Sequence, residues 1–255
     1  MYSETYSDAD TAALYDLLNP WDGTRHRSDA FYNGLVMRAD AVLDVGCGTG
    51  VMLHAARARG HAGRLVGLDP STAMLDRARR RTDIEWVRGT AQDARWEREF
   101  DLATMASHAF QCLVGDDELR ASLAAVRAAL RDGGRFAFET RHPRARAWEE
   151  WNPSHARELV DGAGRAVRVW HEVVEVAGDV VTFTESVGRT DVGADVGADG
   201  GVLRVDRTRL RFLDVPALGD FLAEAGFTVE AQYGDWERGP VVAGSREIVT
   251  VARRV

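Results

Sequence analysis

The chain has 255 residues, of which 45% are hydrophobic, enough for one large α/β domain or one domain with an inserted cap. Its formal net charge of −8 argues against a nucleic acid partner, because binding a polyanion relies on clustered Lys and Arg side chains. The two cysteines provide neither a disulfide framework nor a metal-binding spacing, and without an N-terminal apolar run we expect no signal peptide and no membrane span.

Two helices are predicted ahead of any strand, over residues 8–18 and 28–38, with turn-forming residues 19–23 between them. We expect residues 1–40 to form a lid. From residue 42 onward, short apolar segments alternate with segments of helical periodicity, and this alternation predicts a parallel sheet. The predicted strands lie near 42–45, 64–68, 84–87, 101–105 and 134–140, and the predicted helices at 50–59, 71–81 and 116–131.

Two boundaries of these helices are marked by residues with strong end preferences. Ser71 precedes an apolar helical run and predicts an N-cap, because its hydroxyl is suited to accept a backbone N–H of the first turn. Gly133 and Gly134 follow the helix over 116–131 and predict its end.

The pattern changes after Pro143, where β-branched residues dominate. Residues 167–173 and 180–184 predict a hairpin around Gly178. We therefore predict that residues 145–213 form an antiparallel β cap inserted after the fifth strand, and that 41–144 and 214–255 form the core. A third cap strand is predicted at 202–212, a mobile loop at the repeated V-G-A-D sequence of 191–201, a helix at 216–225 and closing strands at 227–232 and 246–252.

The segment 42–50, VLDVGCGTG, describes a buried strand followed by a glycine turn, and Asp69 lies at the end of the next predicted strand. Glycines in such a turn let the backbone approach a ligand without an intervening Cβ. A carboxylate at the position of Asp69 is suited to accept two hydrogen bonds from a ribose diol. The two signals predict a nucleoside-binding half-site, and a strand-to-helix turn without a ligand is the alternative.

The charge and spacing of this turn narrow the choice of ligand. Val51 stands where the dinucleotide fingerprint has its third glycine, so the turn is not of the type that binds a pyrophosphate. Asp44 adds a negative charge, which is unfavourable beside a phosphate and favourable beside an ammonium or sulfonium group. We therefore expect a cationic cofactor.

The motif at 43–50, LDVGCGTG, resembles the first motif of the class I S-adenosylmethionine-dependent methyltransferases. The resemblance continues through 69–75, 87–92, 100–103 and 134–138, and covers roughly residues 40–140. It implies an α/β fold with a doubly wound, mostly parallel seven-stranded Rossmann-like sheet, S-adenosylmethionine as cofactor and S-adenosylhomocysteine as product. In similar small-molecule methyltransferases an antiparallel cap at this place covers the substrate, so the resemblance also implies a small-molecule acceptor.

The same resemblance assigns the cofactor contacts. Gly46, Gly48 and Gly50 would border the methionine part, and Asp69 the ribose. Many relatives carry an acid where this chain has Thr90, so the acceptor for the adenine amino group stays open between two neighbours of that residue, Gln92 and Asp93. The remaining cofactor-binding candidates are Asp44, Cys47, Pro70, Met74, Ala91, Gln92, Met105 and Tyr15, with Pro70 and Met74 on one side of the adenine.

Polar residues after the fourth and fifth strands are the candidates for acceptor chemistry. His108 follows the fourth strand, where ligands bind in open α/β sheets, and an imidazole is suited to take a proton near neutral pH. Glu139 is the second catalytic candidate, suited to hold a cationic amine or to accept a proton. The alternatives are a structural hydrogen bond for His108 and a salt bridge between Glu139 and Arg141. The substrate-binding candidates are Trp21, Arg141, His142 and Trp236, with Arg141 suited to hold a carboxylate.

The leading hypothesis is a cytoplasmic methyltransferase that acts on nitrogen, oxygen or nucleophilic carbon of a small metabolite by in-line displacement. No metal is expected, because the sequence offers no obvious carboxylate cluster for a divalent ion. An NAD-dependent oxidoreductase is disfavoured by Val51, and a cofactor-binding module without methyl-transfer activity remains a second alternative. No prediction follows for the methyl acceptor or for the oligomeric state.

Overall fold

A computed structural model describes residues 6–190 and 201–255, and these residues divide into two compact units. The larger unit comprises residues 21–145 and 212–255. The smaller unit comprises the described residues of 6–20 and 146–211. Nearly all of the predicted mobile loop, residues 191–200, lies outside the described residues.

The larger unit contains, within the described residues, a seven-stranded sheet in the order β10-β11-β5-β4-β1-β2-β3. The strands are β1 Ala41–Val45, β2 Arg64–Asp69, β3 Glu85–Arg88, β4 Phe100–Met105, β5 Leu130–Arg141, β10 Phe227–Tyr233 and β11 Glu247–Arg254. Strand β11 runs antiparallel to both of its neighbours, and the remaining pairs are parallel. The predicted doubly wound, mostly parallel sheet is confirmed. Its order reverses between β1 and β4, which is the switch point where such sheets bind ligands.

Three of the α-helices in the described residues begin at a side-chain cap, which is Ser7 for the first helix, Ser71 for the fourth and Asp214 for the sixth. The side chain of Ser71 accepts a hydrogen bond from the backbone N–H of Met74 at 3.3 Å, as predicted. None of the helices in the described part of the chain is both long and apolar enough to cross a membrane. The helices are α1 Asp8–Leu18, α2 Arg27–Val36, α3 Val51–Ala58, α4 Thr72–Ala78, α5 Asp116–Ala129 and α6 Val215–Glu224.

The predicted end of α5 at Gly133 and Gly134 is wrong. The helix ends at Ala129, and Leu130 already has the extended backbone of β5 (φ −78°, ψ 146°). The reason is a tertiary contact: the Arg254 guanidinium donates to the carbonyl groups of Arg127 (2.6 Å) and Leu130 (2.6 Å). These bonds satisfy carbonyls that a longer helix would have paired internally. A partner more than a hundred residues away in sequence sets the boundary.

Apolar side chains cover both faces of the central strands. Along β1, Val42 packs into one cluster with Leu65 of β2 and Leu102 of β4. Its neighbour Leu43 packs into the other cluster, with Phe136 among others. Alternate residues of a strand point to opposite faces, so a strand buried on both sides has the continuous apolar run seen in the sequence. The polar residues at the strand ends are therefore held by a rigid core.

The smaller unit contains, in its described residues, a four-stranded antiparallel sheet in the order β6-β7-β8-β9. The strands are β6 Arg157–Val160, β7 Ala166–Ala177, β8 Val180–Arg189 and β9 Val202–Arg211. The predicted hairpin around Gly178 is confirmed, with that glycine at φ +61°. Helix α1 belongs to this unit and α2 to the larger one. Within the unit, Arg165 binds Asp161 at 2.7 Å and Asp10 of α1 at 2.6 Å.

Candidate functional site

The chain leaves β1 through a glycine turn, residues 46–50. Gly46, Gly48 and Gly50 have φ angles of +73°, +55° and +75°, a region that other residues enter only with strain. A Cβ added at Gly50 would lie 2.3 Å from the Trp86 ring, whereas one added at Gly48 would meet nothing within 4 Å. Gly50 is thus needed for packing, and Gly48 presents bare backbone to an open space.

Asp69 ties this turn to the end of β2. One carboxylate oxygen accepts the backbone N–H of Gly48 at 2.8 Å, and the other accepts that of Ser71 at 2.8 Å. The side chain is buried, and burial raises its pKa above the usual range for a carboxyl. A carboxylate has about four lone-pair positions, so each oxygen keeps capacity for a ligand hydroxyl. The predicted pairing of glycine turn and carboxylate is present in three dimensions.

Asp44 is buried beneath the turn, with only 3% of its surface exposed. The Thr104 hydroxyl donates to its Oδ1 at 2.8 Å. Burial raises the pKa of Asp44 to about 7, with the nearby carboxylates of Asp69 and Glu139 acting in the same direction. A cation placed next to this group would favour its ionised form.

The other cofactor-binding candidates lie at the ends of β1, β3 and β4 and at the start of α4. Thr90 donates from its backbone and its hydroxyl to Asp93, at 2.9 and 2.7 Å, so that this carboxylate caps the turn over Ala91–Asp93. Gln92 next to it is exposed. Of the remaining candidates, Pro70 is exposed, Met74 is half-buried in the first turn of α4, and Cys47, Ala91 and Met105 are buried.

The segment after β4 lies against the glycine turn. A Cβ added at Gly46 would be 2.9 Å from the Cβ of Ala109. The two residues before Ala109 both have left-handed backbone, Ser107 at φ 56° and His108 at φ 62°. Such angles are uncommon for residues with a side chain and persist where the surroundings hold them. The backbone N–H of His108 is held by the Glu139 carboxylate at 2.9 Å.

Glu139, on β5, has both carboxylate oxygens engaged. One accepts the His108 N–H, and the other accepts the hydroxyl of Tyr32 from α2. The Glu139 side chain is buried, and burial raises its pKa and, more strongly, that of Tyr32. These contacts identify Glu139 as a support for the segment that carries His108.

The imidazole of His108 is bound by a second acid. Its Nε2 lies 3.0 Å from a carboxylate oxygen of Glu247, the first residue of β11. Each of the two side chains keeps about a fifth of its surface exposed (22% and 20%). We call Tyr32, His108, Glu139 and Glu247 the switch-point cluster, because they gather where the strand order reverses.

Arg141 and His142 follow Glu139 along the chain but have local partners. Arg141 donates from its backbone and from Nη1 to the side-chain oxygen of Gln111, at 3.2 and 3.1 Å. Burial lowers the pKa of the Arg141 guanidinium. The Nδ1 of His142 accepts the backbone N–H of Arg144 at 3.1 Å, and burial lowers the His142 pKa.

The two tryptophan candidates lie beside Tyr32. The ring centroid of Trp21 is 6.5 Å from that of Tyr32, and Trp236 is 6.0 Å away. The indole N–H of Trp21 donates to Asn33 at 3.2 Å. The structure thus brings both predicted aromatic residues to the switch-point cluster. The remaining candidate, Tyr15, lies on α1 in the smaller unit.

Two members of the cluster were not predicted from sequence. Tyr32 was read only as part of a helix, although a tyrosine among buried helix positions needs a partner for its hydroxyl. Glu247 begins an apolar strand, and an acid at that place was a detectable signal. The pairing of Glu247 with His108 was not detectable, because the two residues are 139 positions apart in sequence.

Solved structures with the same fold include S-adenosylmethionine-dependent methyltransferases. A solved member from Clostridium acetobutylicum aligns over 96% of this chain and 97% of its own, with a TM-score of 0.72 at 16% identity. An amino pentose methyltransferase from Micromonospora echinaspora, solved with its SAM cofactor bound, covers 100% of both chains with a TM-score of 0.67 at 23% identity. At these identities the likeness establishes the fold.

Sequence comparison adds a family match and a curated relative. Residues 42–134 match the family model of the methyltransferase domain. A curated relative, the cypemycin N-terminal methyltransferase of a Streptomyces species, is 34% identical over 105 residues, which are 40% of this chain and 42% of that protein. Residues 42–134 therefore match a methyltransferase domain, in agreement with the resemblance of the sequence motifs, and the chain spans less than half of the curated relative.

Proposed function

We propose that this chain transfers a methyl group from S-adenosylmethionine to nitrogen, oxygen or nucleophilic carbon of a small metabolite. The observation that carries the proposal is the pairing of Gly48 with Asp69. Bare backbone at Gly48 borders an open space, and the carboxylate that binds its N–H keeps lone pairs for a ligand. This arrangement fits a nucleoside whose ribose hydroxyls donate to Asp69.

The charge at the glycine turn fits the same cofactor. When bound, S-adenosylmethionine supplies a methyl group on a positively charged sulfur. Asp44, buried and with a raised pKa, favours a positive neighbour over a phosphate. We assign the methionine part to the backbone of residues 46–50, and the adenine to the region of Met74 and Ala91, with Gln92 as the exposed polar side chain nearby.

The switch-point cluster is suited to the acceptor. His108 offers an imidazole on the segment that packs against the glycine turn through Ala109, and Glu139 fixes the backbone of that segment. In methyl transfer the protein chiefly orients the nucleophile and excludes water. We assign proton removal to His108, support to Glu139, and the apolar wall of the acceptor pocket to Trp21 and Trp236.

Nitrogen is the acceptor atom we favour. Two similar proteins support this choice, because one is an amino pentose methyltransferase and the other an N-terminal methyltransferase. Carboxylates at the switch-point cluster suit an acceptor that arrives as an ammonium ion. We further propose a cytoplasmic enzyme with neither nucleic acid nor membrane as a partner, in keeping with the net charge of −8.

The test is a transfer assay with the full chain. Purified protein is incubated with S-adenosylmethionine and panels of amines, phenols and indoles, and S-adenosylhomocysteine is measured by mass spectrometry. We expect product formation with at least one amine class, and its loss in Gly48→Ala. Cofactor binding without any transfer across the three panels would contradict the proposal and favour a binding module.

A further inference from the structure

The contact between His108 and Glu247 fixes more than the position of the imidazole. The Nε2 of His108 lies 3.0 Å from the Glu247 carboxylate. An ionised carboxylate only accepts hydrogen bonds, so Nε2 must carry the hydrogen of this contact. In a neutral imidazole the other nitrogen, Nδ1, then has a free lone pair. The pair therefore selects one of the two tautomers.

The second nitrogen is the one left for a ligand. Among the described residues, His108 forms hydrogen bonds through its backbone N–H and through Nε2, and none through Nδ1. The side chain retains 22% of its surface, so an incoming molecule has access to it. Ala109, the next residue, packs against Gly46 of the glycine turn. His108 thus stands directly beside the place assigned to the methionine part of the cofactor.

Both members of the pair are held by neighbouring elements of the larger unit. Glu139 holds the His108 backbone in its left-handed conformation, and Tyr32 holds Glu139. Glu247 is aligned with Arg141 in the β11–β5 ladder. A base held this way loses little orientation when its partner binds.

We propose that Glu247 is a positioning residue that keeps the His108 proton on Nε2, so that Nδ1 removes the proton of an amine acceptor. This inference rests on the proposed methyltransferase function. The ammonium form of the acceptor gives its proton to Nδ1, and the freed nitrogen pair forms the new N–C bond. The C–S bond breaks with its electron pair left on sulfur. Glu247 faces the imidazolium so formed and stabilises its charge.

The first test observes the tautomer without any reaction. Nitrogen-15 NMR of the histidine side chains, with His108→Gln to assign the signal, distinguishes protonated Nε2 from protonated Nδ1. We expect the Nε2–H form in the wild type and a mixture of tautomers in Glu247→Ala. Glu247→Gln should lose the single Nε2–H form as well, because its amide N–H can donate to Nε2 and favour the other tautomer. An Nδ1–H form in the wild type would overturn the inference.

The second test is kinetic, with the amine acceptor found in the transfer assay. We expect Glu247→Ala to lower kcat roughly tenfold or more and His108→Gln roughly 100-fold, each with an unchanged Kd for S-adenosylhomocysteine. Glu247→Asp, which keeps a carboxylate, should recover part of the loss, whereas Glu247→Gln should not. The control is Glu230→Gln, which removes an ion-paired carboxylate at the opposite end of the β10–β11–β5 strands and should keep full activity.

The outcomes separate the two proposals. An unchanged kcat in Glu247→Ala, with the wild type active, would overturn the role of Glu247 and leave the methyltransferase function standing. Failure of the wild type to bind S-adenosylhomocysteine would overturn the function itself. If Glu247→Ala does not fold, Glu247→Gln and the wild-type tautomer still decide the matter.

Discussion

The glycine turn and the switch-point cluster lie side by side but are built in different ways. The turn is one continuous segment, joined to Asp69 only 21 positions away from Gly48 in sequence. The cluster joins Tyr32 to Glu139 over 107 positions and His108 to Glu247 over 139. In the function that we propose, a local motif binds the cofactor, whereas residues that are distant in sequence and assembled by the fold bind the acceptor.

The largest expected effect separates two glycines within the turn. Gly50→Ala places a Cβ 2.3 Å from the Trp86 ring at a positive φ, so we expect the free energy of unfolding to fall by about 3 kcal/mol. Gly48→Ala has the same strain but open space, and should cost about 1 kcal/mol. Urea unfolding measures both variants.

The same pair distinguishes packing from binding. Gly48→Ala should weaken S-adenosylhomocysteine binding at least roughly tenfold, equivalent to about 1.4 kcal/mol, because its Cβ occupies the space assigned to the cofactor. Equal destabilisation of the two variants, or tight binding by Gly48→Ala, would show that the turn is only a strand-to-helix connection.

The next effect concerns the cluster. Tyr32→Phe removes the hydroxyl that donates to buried Glu139, and we expect a loss of about 2 kcal/mol of stability, because a buried carboxylate loses a partner. Tyr233→Phe on β10 is the matched control, since Tyr233 likewise packs against Phe31, and should cost less than 1 kcal/mol. A neutral Tyr32→Phe substitution would show that Glu139 does not depend on this contact.

The smallest effect is a pH dependence at Asp44. Its pKa is raised from 3.8 to about 7 in the folded protein, so the folded state binds more protons than the unfolded state between these values. Stability contributed by this group is present below pH 4 and is lost as the pH rises through 7. The stability of Asp44→Asn relative to the wild type should therefore increase between pH 4 and pH 8. Thermal unfolding without ligand measures this difference at each pH.

Binding should show the opposite trend with pH. The ammonium group of S-adenosylhomocysteine favours ionised Asp44, so affinity should rise between pH 6 and pH 8 in the wild type and stay flatter in Asp44→Asn. Parallel pH profiles for the two proteins would place the titrating group elsewhere.

The sequence predicted the sheet, the glycine turn and Asp69 because each depends on short-range patterns. Continuous apolar runs predict strands buried on both faces, as β1 shows. The end of α5 was misplaced because Arg254, far along the chain, satisfies its last carbonyls. The local preference of Gly133 for a helix end did not decide the boundary, because the tertiary contact of Arg254 did.

The cluster was predicted only in part for the same reason. His108 and Glu139 were identified because each follows a predicted strand, and strand ends meet at one edge of the sheet. From sequence, Glu139 was a catalytic candidate that could hold a cationic amine or accept a proton, and the structure shows both of its oxygens bonded to Tyr32 and His108. Pairing across the sheet, as between Glu247 and His108, depends on the strand order that places β11 next to β5.

The most direct test of the account is calorimetry of the full chain with S-adenosylhomocysteine and with NAD, each repeated on Asp69→Asn. We predict that the wild type binds S-adenosylhomocysteine and does not bind NAD. Asp69→Asn should bind S-adenosylhomocysteine at least roughly tenfold more weakly, because a charge-assisted ribose contact is lost. Tight binding of NAD without binding of S-adenosylhomocysteine would contradict it.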